Sequence, residues 1–255
     1  MPSKIEYLRT GNVLDLPRGS SLPISMIENA LQRTNEVFKD LSKVAPYVYE
    51  LLGLRNLSSF VGAAFAMELQ NSSNGLLMLN PHQDGYPDLL LLDEVGTKEL
   101  KKFENQMNEK QPFSPFSAGG VEIKATVGDV PSSKTLTSKG QTKPHIGVTR
   151  VELISGINWK SHHRDTNHLL ALIWDFKDSI PAIMVVSYSS KLVQTDWGNI
   201  VQPIAGGGRT TSVSIMSKSG VEKVLNNTLL IIDDQRYISL VEKQIKSKLN
   251  LPSKP

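Results

Sequence analysis

No cysteine occurs among the 255 residues of the chain. This absence excludes disulfide bonds, thiolate metal ligands and a cysteine nucleophile, and it fits a reducing compartment. No apolar run approaches the roughly 18 residues that a membrane-spanning helix needs, and the first residues lack the apolar core of a secretion signal. We therefore expect a soluble, unexported protein with no membrane partner.

A strong excess of either charge is also missing. Lys and Arg total 28 against 25 for Asp and Glu, which gives a net charge of +3. This balance permits a polyanionic partner without requiring one. The Gly-x-Ser-x-Gly elbow, the dinucleotide-binding fingerprint and the Walker-type loop are all absent. The apolar share of 39% is enough for a sizeable core, and we expect one domain over residues 1–255.

Helical spacing of apolar residues is clearest in an N-terminal part of about residues 20–70. The predicted helices span residues 24–41, 57–70, 99–107 and 238–249. Ser58 or Ser59 is expected to cap the second of these helices, because both are residue types that accept bonds from a helix N-terminus.

Strand patterns dominate the rest of the chain, including a strand-rich part of about residues 150–235. The predicted strands span residues 88–93, 121–127, 151–159, 169–176, 182–188 and 206–216. The first is an unbroken apolar run that suits a strand buried on both faces, whereas the second alternates and suits a half-buried strand. Residues 128–149 are polar and without period, which indicates a long loop. The order of elements predicts an α/β fold with a mixed central sheet flanked by helices.

A small set of charged residues interrupts these apolar segments. Glu122 and Lys124 are two residues apart in a predicted strand, so they share one face while Ile123 turns into the core. Asp88 opens a buried strand that could lie beside them. Two carboxylates brought together in this way would form an oxygen-rich site of the kind that holds Mg²⁺.

A third carboxylate, Glu68, lies on the otherwise apolar face of a predicted helix. It could pair with Lys124, hold a second metal through water, or reach solvent at the helix end. The plainer interpretation of the whole set is a solvated Glu122–Lys124 strand pair beside an Asp88 at a strand edge.

The residues "PD" at Pro87–Asp88 and "EIK" at Glu122–Lys124, each beside an apolar run, resemble the PD-(D/E)XK nucleases. The resemblance covers residues 68–133 and is closest to the type II restriction endonucleases. It implies a restriction-endonuclease-like core and Mg²⁺-dependent hydrolysis of phosphodiester bonds in double-stranded DNA at a short palindromic site. The 34 positions between Asp88 and Glu122 exceed the gap in compact members.

The resemblance also implies a role for each residue of the two motifs. Asp88, Glu122 and the Ile123 carbonyl would bind Mg²⁺, and Lys124 would orient or acidify the attacking water. Glu68 carries over as a further catalytic residue. Family behaviour also implies a homodimer, a cognate DNA methyltransferase in the same restriction-modification system, and the cytoplasm of a prokaryotic cell.

Basic residues outside this set are candidates for DNA contacts. They are Lys134, Lys139 and Lys143 in the long polar loop, His162, His163 and Arg164 in the turn "SHHRDTNH", and Arg209 in "GGGRTT". The same turn carries His162, His163, Asp165 and His168, residue types that bind zinc, but their spacing is not that of a zinc site and a solvated turn is favoured.

Two other functions remain open from the sequence. One is a structure-selective DNA repair nuclease built on the same residues, and the other is a non-catalytic DNA-binding protein that retains the acidic strand pair. No helix-turn-helix or zinc module is evident that would carry DNA binding instead.

Overall fold

The computed structural model describes residues 5–11, 13–162, 164–203 and 212–252. Its strands are β1 (Tyr7–Arg9), β2 (Val13–Asp15), β3 (Ser21–Pro23), β4 (Leu77–Leu79), β5 (Leu89–Leu91), β6 (Gly120–Thr126), β7 (Lys160–Ser161), β8 (Leu169–Lys177), β9 (Ile180–Ser189), β10 (Ser214–Ile215) and β11 (Thr228–Ile232). Its α-helices are α1 (Ile24–Val44), α2 (Val48–Ser72), α3 (Glu94–Lys102), α4 (Ser133–Thr137), α5 (Lys218–Leu225) and α6 (Gln235–Ile245).

A seven-stranded sheet in the order β1-β11-β9-β8-β6-β5-β4 forms the centre of the molecule. Strands β6 and β8 run parallel, and the remaining neighbours in this sheet are antiparallel. The sheet is therefore mixed. A parallel pair needs a crossover connection, and the long segment between β6 and β8 supplies it.

Helices cover both faces of this sheet. Leu170 and Leu172 of β8 belong to one apolar cluster with residues of α1 and α2, whereas Leu169 and Ala171 belong to a second cluster with residues of α5 and α6. Because consecutive residues of a strand point to opposite faces, β8 is apolar throughout. The expected α/β architecture with a mixed sheet flanked by helices is confirmed.

Helix α2 begins nine residues before the predicted start. Ser58, one of the two predicted caps, lies inside the helix, where its hydroxyl donates to the Leu54 carbonyl. The actual start is followed by a kink at Gly53, whose φ of 65° lies in the left-handed region that favours glycine. The apolar residues on either side of this kink do not follow one helical period. The spacing therefore did not predict the helical turns that precede residue 57.

The predicted strand over residues 151–159 is wrong, because this segment is a short 3-10 turn at Val151–Leu153 followed by irregular chain. The backbone N–H groups of Arg150 and Val151 donate to the buried carboxylate of Asp175 in β8. The Asp175 side chain thus accepts hydrogen bonds from backbone N–H groups that, in a strand, would bond to a neighbouring strand.

The other differences are smaller. The loop at residues 128–149 contains α4, and the closing helix α6 starts three residues early. Of the strand predicted over residues 206–216, residues 206–211 lie outside the described residues, and β10 occupies two of the rest. Strands β1, β2, β3, β4, β7 and β11 and helix α5 were not predicted. Helix α3 begins and ends five residues before the helix predicted over residues 99–107.

Candidate active site

Asp88 and Glu122 lie side by side at the end of β5. The antiparallel register pairs Leu89 with Val121, and its continuation by one residue places Asp88 opposite Glu122. Asp88 Oδ2 accepts a bond of 2.7 Å from the backbone N–H of Ile123, and the backbone N–H of Asp88 donates to Glu122 Oε2 at 3.2 Å. The two carboxylates, predicted from sequence to converge, are therefore brought together.

Lys124 completes this group from the same face of β6. Its Nζ forms an ion pair and hydrogen bond with Glu122 Oε1. The Glu122 side chain is 7% exposed and that of Lys124 is 24% exposed. Both side chains are therefore largely buried, the carboxylate more so than the amine.

Burial and crowding shift the pKa values of these residues. Burial, followed by the charge of Glu122, raises the pKa of Asp88 to about 6. Burial by itself would lower the pKa of Lys124, but Glu122 and Asp88 outweigh it and the pKa is raised. Lys124 is thus a cation at neutral pH, held beside Asp88 and Glu122.

The Ile123 carbonyl is placed to join the carboxylates. Continuing the same register sets Pro87 opposite Ile123, and proline has no N–H to donate to that carbonyl. Among the described residues, no group of three or more His, Asp or Glu side chains converges as a metal site. Mg²⁺ is commonly held by one or two carboxylates together with water and substrate phosphate. Two carboxylates and a carbonyl fit that requirement.

Glu68 is separated from this group. Its Oε2 accepts a bond of 3.0 Å from Arg33 Nε of α1. Helix α2, which carries Glu68, packs with Ile123 on the sheet face opposite to that of Glu122 and Lys124. Of the roles considered for Glu68, the structure shows an ion pair, with Arg33 and not with Lys124.

Tyr86 borders the site and was missed by the sequence analysis. Burial is the main cause that raises the pKa of Tyr86 to about 12, and the nearby charges of Glu122 and Asp165 add to the rise. The available signal was its position, two residues before Asp88.

The turn "SHHRDTNH" lies next to the carboxylates. The backbone N–H of Glu122 donates to the His168 carbonyl, and the following residue, Leu169, pairs with Glu122. His162 is exposed, and Arg164 donates to the Gln194 carbonyl through Nε and Nη2. These two candidates for DNA contact precede His168, the residue of the turn that contacts Glu122, by six and four positions. His163 lies outside the described residues.

The candidates in the long loop lie elsewhere. Lys134, Lys139 and Lys143 are exposed, and Lys143 borders a surface groove of about 460 Å³. Thr149 Oγ1 donates to the Phe176 carbonyl near the end of β8, seven residues beyond Leu169. Arg209, the remaining candidate, is outside the described residues.

No family model matches the chain, and no curated protein or solved structure matches it. Among the described residues, no helix combines the length and apolar character needed to cross a bilayer.

Proposed function

We propose that the chain is a Mg²⁺-dependent type II restriction endonuclease that hydrolyses phosphodiester bonds of double-stranded DNA at a short palindromic site. The observation that carries this proposal is the convergence of Asp88, Glu122 and Lys124 on one face of neighbouring strands. The mixed sheet flanked by helices supports the same assignment.

Each residue has a task that follows from its charge and position. Asp88, Glu122 and the Ile123 carbonyl would hold Mg²⁺, which supplies neutralisation of the phosphate charge and a lowered pKa of a water molecule. Lys124 lies beside Glu122, where its ammonium orients the attacking water and attracts the phosphate. Two unit charges about 4 Å apart interact by about 4 kcal/mol at the effective dielectric near a protein surface.

The partners follow from the reaction. A palindromic site presents the same bond on both strands, so two copies related by a twofold axis would cut both, and we propose a homodimer. A methyltransferase that protects the host DNA would belong to the same restriction-modification system, which would place the enzyme in a prokaryotic cytoplasm. His162, Arg164 and the lysines of the long loop are proposed to contact DNA.

The test is digestion of long DNA of known sequence, with Mg²⁺ or with EDTA, and mapping of the fragment ends. We expect discrete fragments that share one palindromic end sequence with Mg²⁺, and intact DNA with EDTA. Asp88→Ala and Lys124→Ala should abolish cleavage while DNA binding and the circular dichroism spectrum stay unchanged.

Other outcomes identify the alternatives. Cleavage of branched or damaged DNA without a shared end sequence would replace this proposal with a structure-selective repair nuclease. DNA binding that is indifferent to Mg²⁺, with no nicking at any concentration, would replace it with a non-catalytic DNA-binding protein. Equal cleavage by the wild type and both variants would remove Asp88 and Lys124 from the reaction.

A further inference from the structure

A short antiparallel ribbon lies outside the seven-stranded sheet. It consists of residues 197–202 and 212–216, and we call it the ribbon. Its two stretches are bridged by Trp197 with Met216 and by Val201 with Val213. The second stretch contains β10, which pairs on its other side with β7. The ribbon is therefore held by backbone bonds along both sides of its second stretch.

The ribbon packs on the face of the central sheet that carries Glu122 and Lys124. The register of β6 and β8 sets Glu122 beside Leu169 and Lys124 beside Ala171, and residues paired in this way point to the same face. Leu169 and Ala171 belong to one apolar cluster with Trp197 of the ribbon. Because neighbouring strands are about 4.8 Å apart, the ribbon covers the strand next to the two charged residues.

Hydrogen bonds fix the position of the ribbon relative to β6. Trp197 Nε1 donates to the Thr166 carbonyl at 3.3 Å. Two residues later, the His168 carbonyl accepts the N–H of Glu122 at 3.0 Å. The first residue of the ribbon is thus connected to the strand that carries Glu122 through a single short turn.

The side of the ribbon away from the apolar cluster faces solvent. Ile215 is exposed, whereas its neighbours Ser214 and Met216 are buried, so Ile215 points outward. Lys160 of β7 lies opposite Ile215 and is also exposed. The other exposed residues of the ribbon are Asn199, Ile200, Val201 and Gln202.

The charge of this outer side suits a polyanion. No acidic residue occurs in the ribbon or in β7. The acids closest to them in the chain are occupied, since Asp196 binds Lys223 and Asp165 accepts from Gln194. An ammonium, two amides and several branched apolar side chains are what the outer side presents, and none of them repels a phosphate.

The same side chains match the edges of DNA bases. In the major groove, Asn and Gln pair with adenine, Lys binds guanine, and apolar side chains contact the methyl group of thymine. That groove is about 12 Å wide and admits a two-stranded ribbon. Gln202 Oε1 also accepts the Ser212 hydroxyl at 2.6 Å, and an amide that is already oriented loses less freedom on binding.

We propose that the ribbon enters the major groove of the DNA beside the bond that is cut, and that Asn199 and Gln202 read base edges there. The inference rests on the proposed nuclease function and deepens it, because it names the element that gives the enzyme its sequence preference. That element lies outside the two sequence motifs and borders the carboxylates on the same face of the sheet.

Single amide deletions test the inference. Asn199→Ala and Gln202→Ala each remove one amide of the ribbon, and Gln235→Ala removes an exposed amide at the start of α6 as the matched control. The measurement is kcat/KM for a duplex with the mapped site and for duplexes in which one base pair of that site is changed. We expect each ribbon variant to lose about tenfold of its preference at one base pair, in line with one amide–base contact.

A purely structural role of the two amides predicts a different result. It would lower the urea midpoint or slow the cleavage of all duplexes alike, and it would leave the preference at each base pair unchanged. Because both side chains are exposed, we expect the urea midpoints of both variants to equal that of the wild type. Gln235→Ala should keep every preference within about threefold of the wild type.

Two results would overturn the inference while the nuclease function stands. One is a wild-type preference at every base pair in both ribbon variants, and the other is an equal loss of preference in Gln235→Ala. In both cases the wild type cuts the mapped site and Asp88→Ala does not. Cleavage by Asp88→Ala, or the absence of Mg²⁺-dependent cleavage by the wild type, would contradict the nuclease function itself, and the inference would fail with it.

Discussion

The carboxylate of Asp88 is bonded to the backbone of the strand that carries Glu122, because its Oδ2 accepts the N–H of Ile123 at 2.7 Å. The reverse contact runs from the Asp88 N–H to Glu122 Oε2. These two bonds cross-link the end of β5 to β6. They make the spacing of the two carboxylates a property of the sheet.

Lys124→Met should separate metal binding from cleavage. The Lys124 ammonium occupies Glu122 Oε1, so its removal leaves that oxygen open to a cation. We expect Mg²⁺ affinity, measured by isothermal titration calorimetry, to stay equal or to rise, while kcat falls by roughly 100-fold or more from the loss of a positioned charge. A large fall in Mg²⁺ affinity would instead show that the lysine organises the metal ligands.

Asp88→Asn should stabilise the metal-free protein at neutral pH. The pKa of Asp88 is raised to about 6 in the folded protein, from 3.8, by burial and the charge of Glu122. The folded state then binds more protons than the unfolded state between these two values, so the stability of the wild type falls as the pH rises from about 4 to 6 and is level above that. Asparagine carries no such charge and can still accept the Ile123 N–H.

The expected gain for Asp88→Asn is at most about 3 kcal/mol above pH 6, with none below pH 4, since the shift is about two pKa units and each corresponds to about 1.4 kcal/mol. Urea unfolding in EDTA at several pH values measures it. Mg²⁺ should raise the midpoint of the wild type and leave that of the variant unchanged. A gain that is the same at every pH would point to packing and not to the charge.

The convergence of Asp88 and Glu122 could be predicted from sequence because each lies beside an apolar strand with a distinctive pattern. The position of Glu68 could not, since helical spacing says which residues share a helix face but not which sheet face the helix covers. The failed strand at residues 151–159 has a related cause. Asp175 is 24 positions from Val151, and a carboxylate so far along the chain gives no local signal that it will bind the backbone there.

The nearness of the turn at residues 161–168 to the site follows from topology. Strand β8 runs parallel to β6, so the residues just before β8 meet the end of β6 that carries Glu122. Had the pair been antiparallel, the same turn would lie at the far end of the sheet. Whether two distant strands pair parallel or antiparallel depends on the connection between them and on the packing of both faces of the sheet. The alternation of apolar and polar residues within one strand does not encode either of these.

Glu68→Gln should leave cleavage nearly intact. Glu68 pairs with Arg33, whose side chain is 59% exposed, on the helical layer away from Lys124. We expect kcat within about threefold of the wild type and a stability loss of at most about 1 kcal/mol, as is usual for an ion pair near the surface. Arg33→Gln is the matched variant and should have the same small effect. Loss of cleavage in Glu68→Gln alone would assign Glu68 to the reaction.

Asp175→Ala should be strongly destabilising. This carboxylate is 0% exposed and accepts bonds from the N–H groups of Arg150, Val151 and Phe176 and from the Tyr237 hydroxyl. Its removal leaves these donors buried without their acceptor, at an expected loss of about 3–5 kcal/mol in the free energy of unfolding. Tyr237→Phe removes one of the bonds and should cost about 1 kcal/mol. Near-equal midpoints for the two variants in urea would contradict this account.

The three lysines of the long loop should contribute to DNA affinity and not to the chemical step. The loop they occupy returns to the sheet at Thr149, bonded to Phe176. Seven residues separate Phe176 from Leu169, the partner of Glu122, which is roughly 23 Å at about 3.3 Å per strand residue. In the proposed nuclease, a phosphate held near Thr149 would lie several base pairs from the one that is cut.

Neutralising these lysines should therefore flatten the salt dependence of DNA binding. Each phosphate contact contributes about 0.9 to the slope of log K against log salt, so three contacts contribute about 2.7. We expect the triple alanine variant of Lys134, Lys139 and Lys143 to lose up to this amount while kcat at saturating DNA is unchanged. The triple alanine variant of Lys98, Lys101 and Lys102, exposed lysines of α3, removes the same charge and should keep the slope. Equal slopes in both triples would mean that the loop contacts no phosphate and that its lysines are only solvated.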